Sequence, residues 1–461
     1  MNENNNITEG SIFKALIKLA IPIMGTSFVQ MAYNMTDMIW IGRVGSKSVA
    51  AVGTAGFFTW LAMAFILIPK IGAEIGVAQS VGKKDLDAAK DYARHTIQLN
   101  IFLALIYGAC LLIFRKELIG FFHLGDQEVI NQAISYLVIV TFGITFYFIN
   151  PVLTSIYNGY GDSKTPFMMN TIGLFTNMIL DPILIFGIGP FPSLGVKGAA
   201  FATISAQLIV TIVFIYHMKN KFPLFSDFRL WILPKGIYIK RIVKLGIPVA
   251  FNSGLFTIFA MFIARIVASW GPVPIAVQKV GSQIEAISWM SASGFSTAIS
   301  TFVGQNYGAK KGKRIFKGYF TAIGIVSIIG IIATCLLIFG ARPIFSIFIP
   351  EEEAIKYGVE YLKILGLSQL FMCIEITTAG AFNGMGKTIP PAIISILFTG
   401  LRVPAAKILS SENLLGLEGI WWSISMSSII KGILLATGFM ILMYKHPDIR
   451  GKKKIKIDFI K

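Results

Sequence analysis

Residues 17–45 read IKLAIPIMGTSFVQMAYNMTDMIWIGRVG. The stretch is long and apolar enough to cross a bilayer, which takes about 20 residues. Its first seven residues return later as VKLGIPV (243–249), at a shift of 226. Near its middle sits a single carboxylate, Asp37. The length of the stretch, its repetition and its buried charge lead to a fold class, an architecture and a candidate site.

Apolar windows of spanning length recur near 16–42, 48–80, 91–114, 130–158, 165–187, 194–218, 240–268, 273–306, 314–340, 355–383, 389–410 and 415–444. They predict an all-α integral membrane protein with twelve transmembrane helices. The composition agrees: of 461 residues, 55% are hydrophobic and only 14% charged, where soluble proteins carry about 25% charged residues. The net charge of +18 would suggest nucleic acid on a soluble protein. Here the bases gather in alternate loops, as a membrane orientation signal requires. Lys83, Lys84, Lys90 and Arg94 follow the second span. Lys219, Lys221, Arg229, Lys235, Lys240 and Arg241 follow the sixth, and Lys310, Lys311, Lys313, Arg314 and Lys317 the eighth. The opposite loops are poor in bases, as in WGPVP (270–274) and PEEE (350–353). Both termini are therefore expected in the cytoplasm, with the bilayer as partner and no nucleic acid. No secretory cleavage pattern precedes the first span, which is read as retained.

Other landmarks repeat in the same order. GVAQSVGKKD (76–85) returns as FVGQNYGAKK (302–311), YNGYGDSKTP (157–166) as FNGMGKTIPP (382–391), and LGVKG (194–198) as LGLEG (415–419). The chain is thus a duplicated unit of six spans. An even number of spans gives both copies one orientation, so a pseudo-twofold axis along the membrane normal relates them. The expected domains are an N-terminal six-helix lobe (1–218), a basic cytoplasmic linker (219–239), a C-terminal six-helix lobe (240–444) and a basic cytoplasmic tail (445–461), with a cleft between the lobes.

A carboxylate at mid-bilayer costs about 2.5–3.5 kcal/mol on insertion scales and marks a functional candidate. Asp37 lies one turn beyond Tyr33, and Asp181 one turn beyond Asn177, so each pair shares a helix face. Pro182 leaves a carbonyl free and bends its helix locally, and Pro22 and Pro248 should do the same. The repeat supplies a control. Asp37 corresponds to Ile263, and Asp181–Pro182 falls near Val403–Pro404. The proline persists while the acids do not, so the six-helix unit does not need them to pack. Secondary candidates are Glu285, Arg265, Lys279 and Arg402, beside Glu74, Glu375 and Lys407; pairing of Glu285 with Lys279 or Arg265 would make several of them structural. The glycine-rich NGYG and NGMG elements lack Walker spacing and read as turns. Cys110, Cys335 and Cys373 fit neither a disulfide framework nor a metal site. No nucleophile triad is spaced for catalysis, so an enzyme is not expected.

YNMTDMIWIGRVG (33–45), AQSVGKKD (78–85), NGYGDSKTP (158–166), NMILDPILIFG (177–187), LGVKGAAFATI (194–204) and TFVGQNYGAKK (301–311) together resemble the multidrug and toxic compound extrusion (MATE) family of secondary transporters over nearly the whole chain. The first-span Asp and fifth-span Asn-x-x-x-Asp-Pro look like its DinF-like branch, including archaeal members. The second-lobe acids of the NorM-like branch are not matched in span seven. The resemblance implies two lobes forming a V, alternating access, and export of amphipathic, often cationic compounds from the plasma membrane, driven by inward H+ or Na+, with no cofactor. It places ion coupling on Asp37, Asn177, Asp181 and Thr203, with Tyr33 in the same substrate cavity, and Na+ would be held by the first four. The chain is expected to act as a monomer. Rival readings are a lipid or lipid-linked oligosaccharide flippase of the same superfamily, for which Arg265, Lys279, Arg402 and Lys407 would supply a cationic cavity, and, more remotely, an integral membrane enzyme.

Overall fold

The computed structural model describes residues 7–225, 228–411 and 413–445. The described chain is helical, without strands. Its first half runs through α1 (Ile12–Val44), α2 (Ser46–Gly82), α3 (Leu86–Ile113), the short α4 (Arg115–Gly120), α5 (Gln127–Phe142), α6 (Ile144–Tyr160), α7 (Lys164–Phe186) and α8 (Val196–Lys221). The second half repeats this order as α9 (Gly236–Ala268), α10 (Pro272–Gly308), α11 (Gly312–Phe339), the short α12 (Ala341–Ser346), α13 (Glu352–Gly366), α14 (Gln369–Gly384), α15 (Ile389–Leu409) and α16 (Leu417–Lys445). Of the tail expected at 445–461, all beyond Lys445 lies outside the described residues.

Nine described helices are long and apolar enough to cross a membrane. Two further crossings are broken helices, α5–α6 bent by 52° and α13–α14 by 48°. These are spans four and ten, which the hydropathy pattern joins into single segments. In the first half the break falls at Gly143, where a Cβ would lie 2.4 Å from Ile204 Cγ2. The twelfth segment, α10, spans 37 residues but is more polar, carrying Gln278, Lys279, Ser282, Gln283 and Glu285. Pro22, Pro182 and Pro248 all sit inside continuous helices.

Packing divides the chain into two compact units, and the divisions fall inside helices. One unit is Gly25–Ala250; the other joins the residues up to Met24 with those from Phe251 on. The change of unit comes shortly after Pro22 in α1 and Pro248 in α9. In the unit that contains them, Leu16, Leu19, Ala20 and Ile23 of α1 bury against Phe295, Ile299 and Phe302 of α10. In the other unit, Ile242 of α9 buries against Ala73 and Val77 of α2. The described part of the linker is docked on this same unit. Phe222 stacks on Tyr157 at 4.1 Å, and Gln98 Nε2 donates to Leu230 O and Ile232 O at 2.6 and 2.7 Å. The Lys235 backbone N–H donates to His95 Nε2 at 2.8 Å.

The repeated motifs mark matched close contacts. A Cβ on Gly159 would stand 2.8 Å from Glu74 O, and one on Gly384 would stand 2.4 Å from Ser300 O. These glycines therefore let α6 lie on α2, and α14 on α10. That accounts for NGYG and NGMG as packing and turn elements. The last glycine of LGVKG, Gly198, would bring a Cβ within 2.2 Å of Leu184 O, and Gly419 of LGLEG within 2.2 Å of Leu409 O. In AQSVGKKD, Asp85 caps α3 by accepting from Ala88 N at 2.9 Å.

Candidate functional site

Within the unit Gly25–Ala250, α7 and α8 approach closely at two points. Gly198 meets the end of α7, and a Cβ on Gly173 would lie 2.4 Å from Val210 Cγ2. Gly173, Asn177 and Asp181 follow one another at four-residue intervals, so all three face α8. The second part of α1 packs there too, with Tyr33 buried against Leu174 and Ala206. One turn on, Asp37 faces Asp181, Asn177 and Thr203, each close enough to act on its carboxyl group. Tyr33 donates to Thr203 O at 3.4 Å, and Asn177 Nδ2 donates to Asp181 Oδ1 at 3.2 Å. Asn177 and Asp181 have no exposed surface.

Four buried oxygens converge here without a hydrogen-bond partner: Asp37 Oδ1, Asn177 Oδ1, Asp181 Oδ2 and Thr203 Oγ1. Each comes from one of the four residues singled out for ion coupling. Buried polar atoms are nearly always paired, and an unpaired one costs about 1–3 kcal/mol. Two carboxylates with no basic side chain between them among the described residues also repel. A proton or a small hard cation relieves both penalties. An all-oxygen donor set suits such a cation.

The site also contains Tyr136 of α5, which the sequence reading missed. Its phenol is buried and faces Asp37, Thr203 and Asp181. Its signal was the repeat: Tyr136 corresponds to Tyr361 at a shift of 225.

The secondary candidates fall elsewhere. Glu285, Lys279 and Arg402 line a cavity of about 780 Å³ in the unit containing Phe251 onward. Arg265 and Lys407 are exposed and do not line it. Glu285 forms no ion pair with Lys279 or Arg265 among the described residues; its Oε2 accepts from Gln369 Nε2 at 3.3 Å. Glu375 is paired, at 2.8 Å, with Lys431, an intramembrane lysine that the sequence reading also missed. Glu74 is buried near Lys70, one turn before it on α2.

The MatE family profile matches residues 22–183 and 248–408, two segments with the offset of the sequence repeat. The "Probable multidrug resistance protein NorM" of Thermotoga maritima is 29% identical over 96% of this chain and 96% of its own length. The "Probable multidrug resistance protein YoeA" of Bacillus subtilis is 26% identical, covering 95% of this chain and 96% of its own. The crystal structure of a MATE protein in complex with MaD5 superposes with a TM-score of 0.88 at 24% identity, over 97% of this chain and all of that one. An outward-facing MATE transporter gives 0.87 over 96% of this chain and 98% of its own, also at 24% identity. The twelve-segment membrane fold is therefore shared, and the chain belongs to the MatE (multidrug and toxic compound extrusion) family of membrane transporters.

Proposed function

We propose that this chain is a secondary active multidrug exporter, moving amphipathic, often cationic compounds out of the cell by alternating access against H+ or Na+. The observation that carries the coupling site is the convergence of four orphan oxygens from Asp37, Asn177, Asp181 and Thr203. The export reading is supported by relatives named as multidrug resistance or export proteins. Those names do not favour a flippase.

A proton on either carboxyl group cancels one of two like charges and turns an orphan acceptor into a donor. Na+ would instead be held by the four oxygens together. Tyr33 and Tyr136 place phenol rings beside the acids, which suits a flat cationic substrate. Ion and substrate both respond to the same negative charge, so they compete for this unit. Ion entry from outside favours substrate release, and ion loss to the cytoplasm resets the site. The basic loops support a cytoplasmic location for both termini, and we take the protein to act as a monomer in the plasma membrane.

The test is efflux of a cationic dye from proteoliposomes, with pH and Na+ gradients imposed separately. Asp37→Asn and Asp181→Asn should each abolish gradient-driven efflux while leaving the melting temperature within a few degrees of wild type. Full activity in both variants would sink the coupling assignment.

A further inference from the structure

The second cavity lies wholly in the unit from Phe251 onward and is lined by α9, α10 and α13–α16. At about 780 Å³ it falls within the range of ligand cavities, roughly 300–1,000 Å³. One wall is aromatic and apolar, with Phe256, Phe259, Trp289 and Met372. The repeat makes it the counterpart of the acid site. Tyr361, equivalent to Tyr136, lines it, and so does Ile263, equivalent to Asp37.

Its charge is opposite, because Lys279, Arg402 and Lys431 outnumber Glu285 and Glu375 in its lining. The first copy carries a neutral cluster at Asn150, which accepts from Thr211 Oγ1 at 2.8 Å and donates to Gln207 Oε1 at 2.7 Å. The matching position in the second copy is Glu375, whose charge Lys431 balances at 2.8 Å. That leaves Arg402. Its Nε donates to Ser427 Oγ and its Nη2 to Ser428 Oγ, the latter at 2.9 Å. Both hydrogen-bond partners are neutral, and Glu375 and Glu285 act on the guanidinium only from beyond ion-pair distance among the described residues. Thr399, one turn earlier on α15, has a buried hydroxyl without a hydrogen-bond partner. A guanidinium held by neutral groups beside a free hydroxyl is a recognition element for an oxyanion. Of the two carboxylates in the lining, Glu285 is the one that no ion pair balances among the described residues, and its Oε1 is buried and unpartnered.

We propose that this cavity is a binding site for amphiphiles with a single anionic head of carboxylate size and a flat apolar body. The head sits on Arg402 and Thr399, and the body lies against Trp289 and the two phenylalanines. The site is separate from Asp37 and Asp181, which belong to the other unit, and it does not rest on their role in coupling.

The experiment uses the full chain in lipid nanodiscs and follows quenching of tryptophan fluorescence by pyrenebutyrate and by its uncharged methyl ester. Wild type should bind the acid about tenfold or more tightly than the ester, as one charge-assisted contact implies. Arg402→Gln should bring the two affinities together, and Glu285→Gln should tighten the acid several-fold. Equal binding of acid and ester by wild type overturns the proposal. So does a folded Arg402→Gln protein that keeps the preference. If Arg402→Gln does not fold, Glu285→Gln decides: tighter binding supports the site, and unchanged or weaker binding refutes it.

Discussion

Glu375 and Lys431 pair at 2.8 Å with side chains 10% and 5% exposed, which makes the two ends of one bond unequal targets. Glu375→Gln keeps the shape and removes the anion. The Lys431 ammonium is then left without a counterion, and the positive Arg402 lies close enough to repel it. Breaking a buried pair from one side costs about 3–5 kcal/mol, and the remaining repulsion places this variant at about 4 kcal/mol. Lys431→Met leaves the carboxylate instead. Arg402 already acts on Glu375 and remains as a substitute cation, so the expected cost falls to about 2 kcal/mol. Changing both residues together removes both charges and should cost no more than about 1 kcal/mol, because neutral replacements of a buried pair are often tolerated. Thermal unfolding in detergent, followed by tryptophan fluorescence, ranks the three proteins. The double variant should melt highest, Lys431→Met next and Glu375→Gln lowest. A Lys431→Met protein that melts below Glu375→Gln would refute the assignment of Arg402 as a second cation for this carboxylate.

Thr203→Val removes one of the four orphan oxygens but neither carboxylate. It should weaken Na+-driven efflux roughly tenfold in apparent ion affinity and leave proton-driven efflux intact, as titration of the two gradients in proteoliposomes will show. Gly198→Ala puts a methyl where 2.2 Å separates the position from Leu184 O. It should lower stability by about 1–3 kcal/mol and also impair efflux by moving Thr203 away from Asp37. Gly419→Ala meets the same obstruction in the other unit and should lower the melting temperature by a similar amount while sparing coupling. Gln98→Ala loses two hydrogen bonds to the linker and should raise the rate of tryptic cleavage at Arg229 and Lys235 roughly tenfold; an unchanged rate would show that the aromatic residues and the Lys235 contacts to His95 and Asp91 hold the linker without Gln98.

The span pattern was legible because crossing a bilayer demands long apolar helices, and the duplication because short motifs recur in order. Asp37 and Asp181 were legible as charges in apolar helices, whereas their meeting with Asn177 and Thr203 was implied by the family resemblance and not by any local pattern. Tyr136 was not found from composition, because a tyrosine in an apolar segment looks like core; only its position relative to Tyr361 distinguishes it. Lys431 hid between Ile430 and Gly432 in a helix otherwise apolar enough to pass as lipid-facing. The breaks at Gly143 and before Gln369 escaped because hydropathy is insensitive to a bend. The exchange of unit near Met24 and Ala250 depends on which face of a continuous helix packs where, and no local pattern records that.

Each copy of the repeat lends the opening turns of its first helix to the unit completed by the other copy. A lone six-span polypeptide would therefore expose an apolar half-helix and lack the one its core requires. Two such polypeptides could satisfy each other only by trading these segments, as in a domain-swapped homodimer.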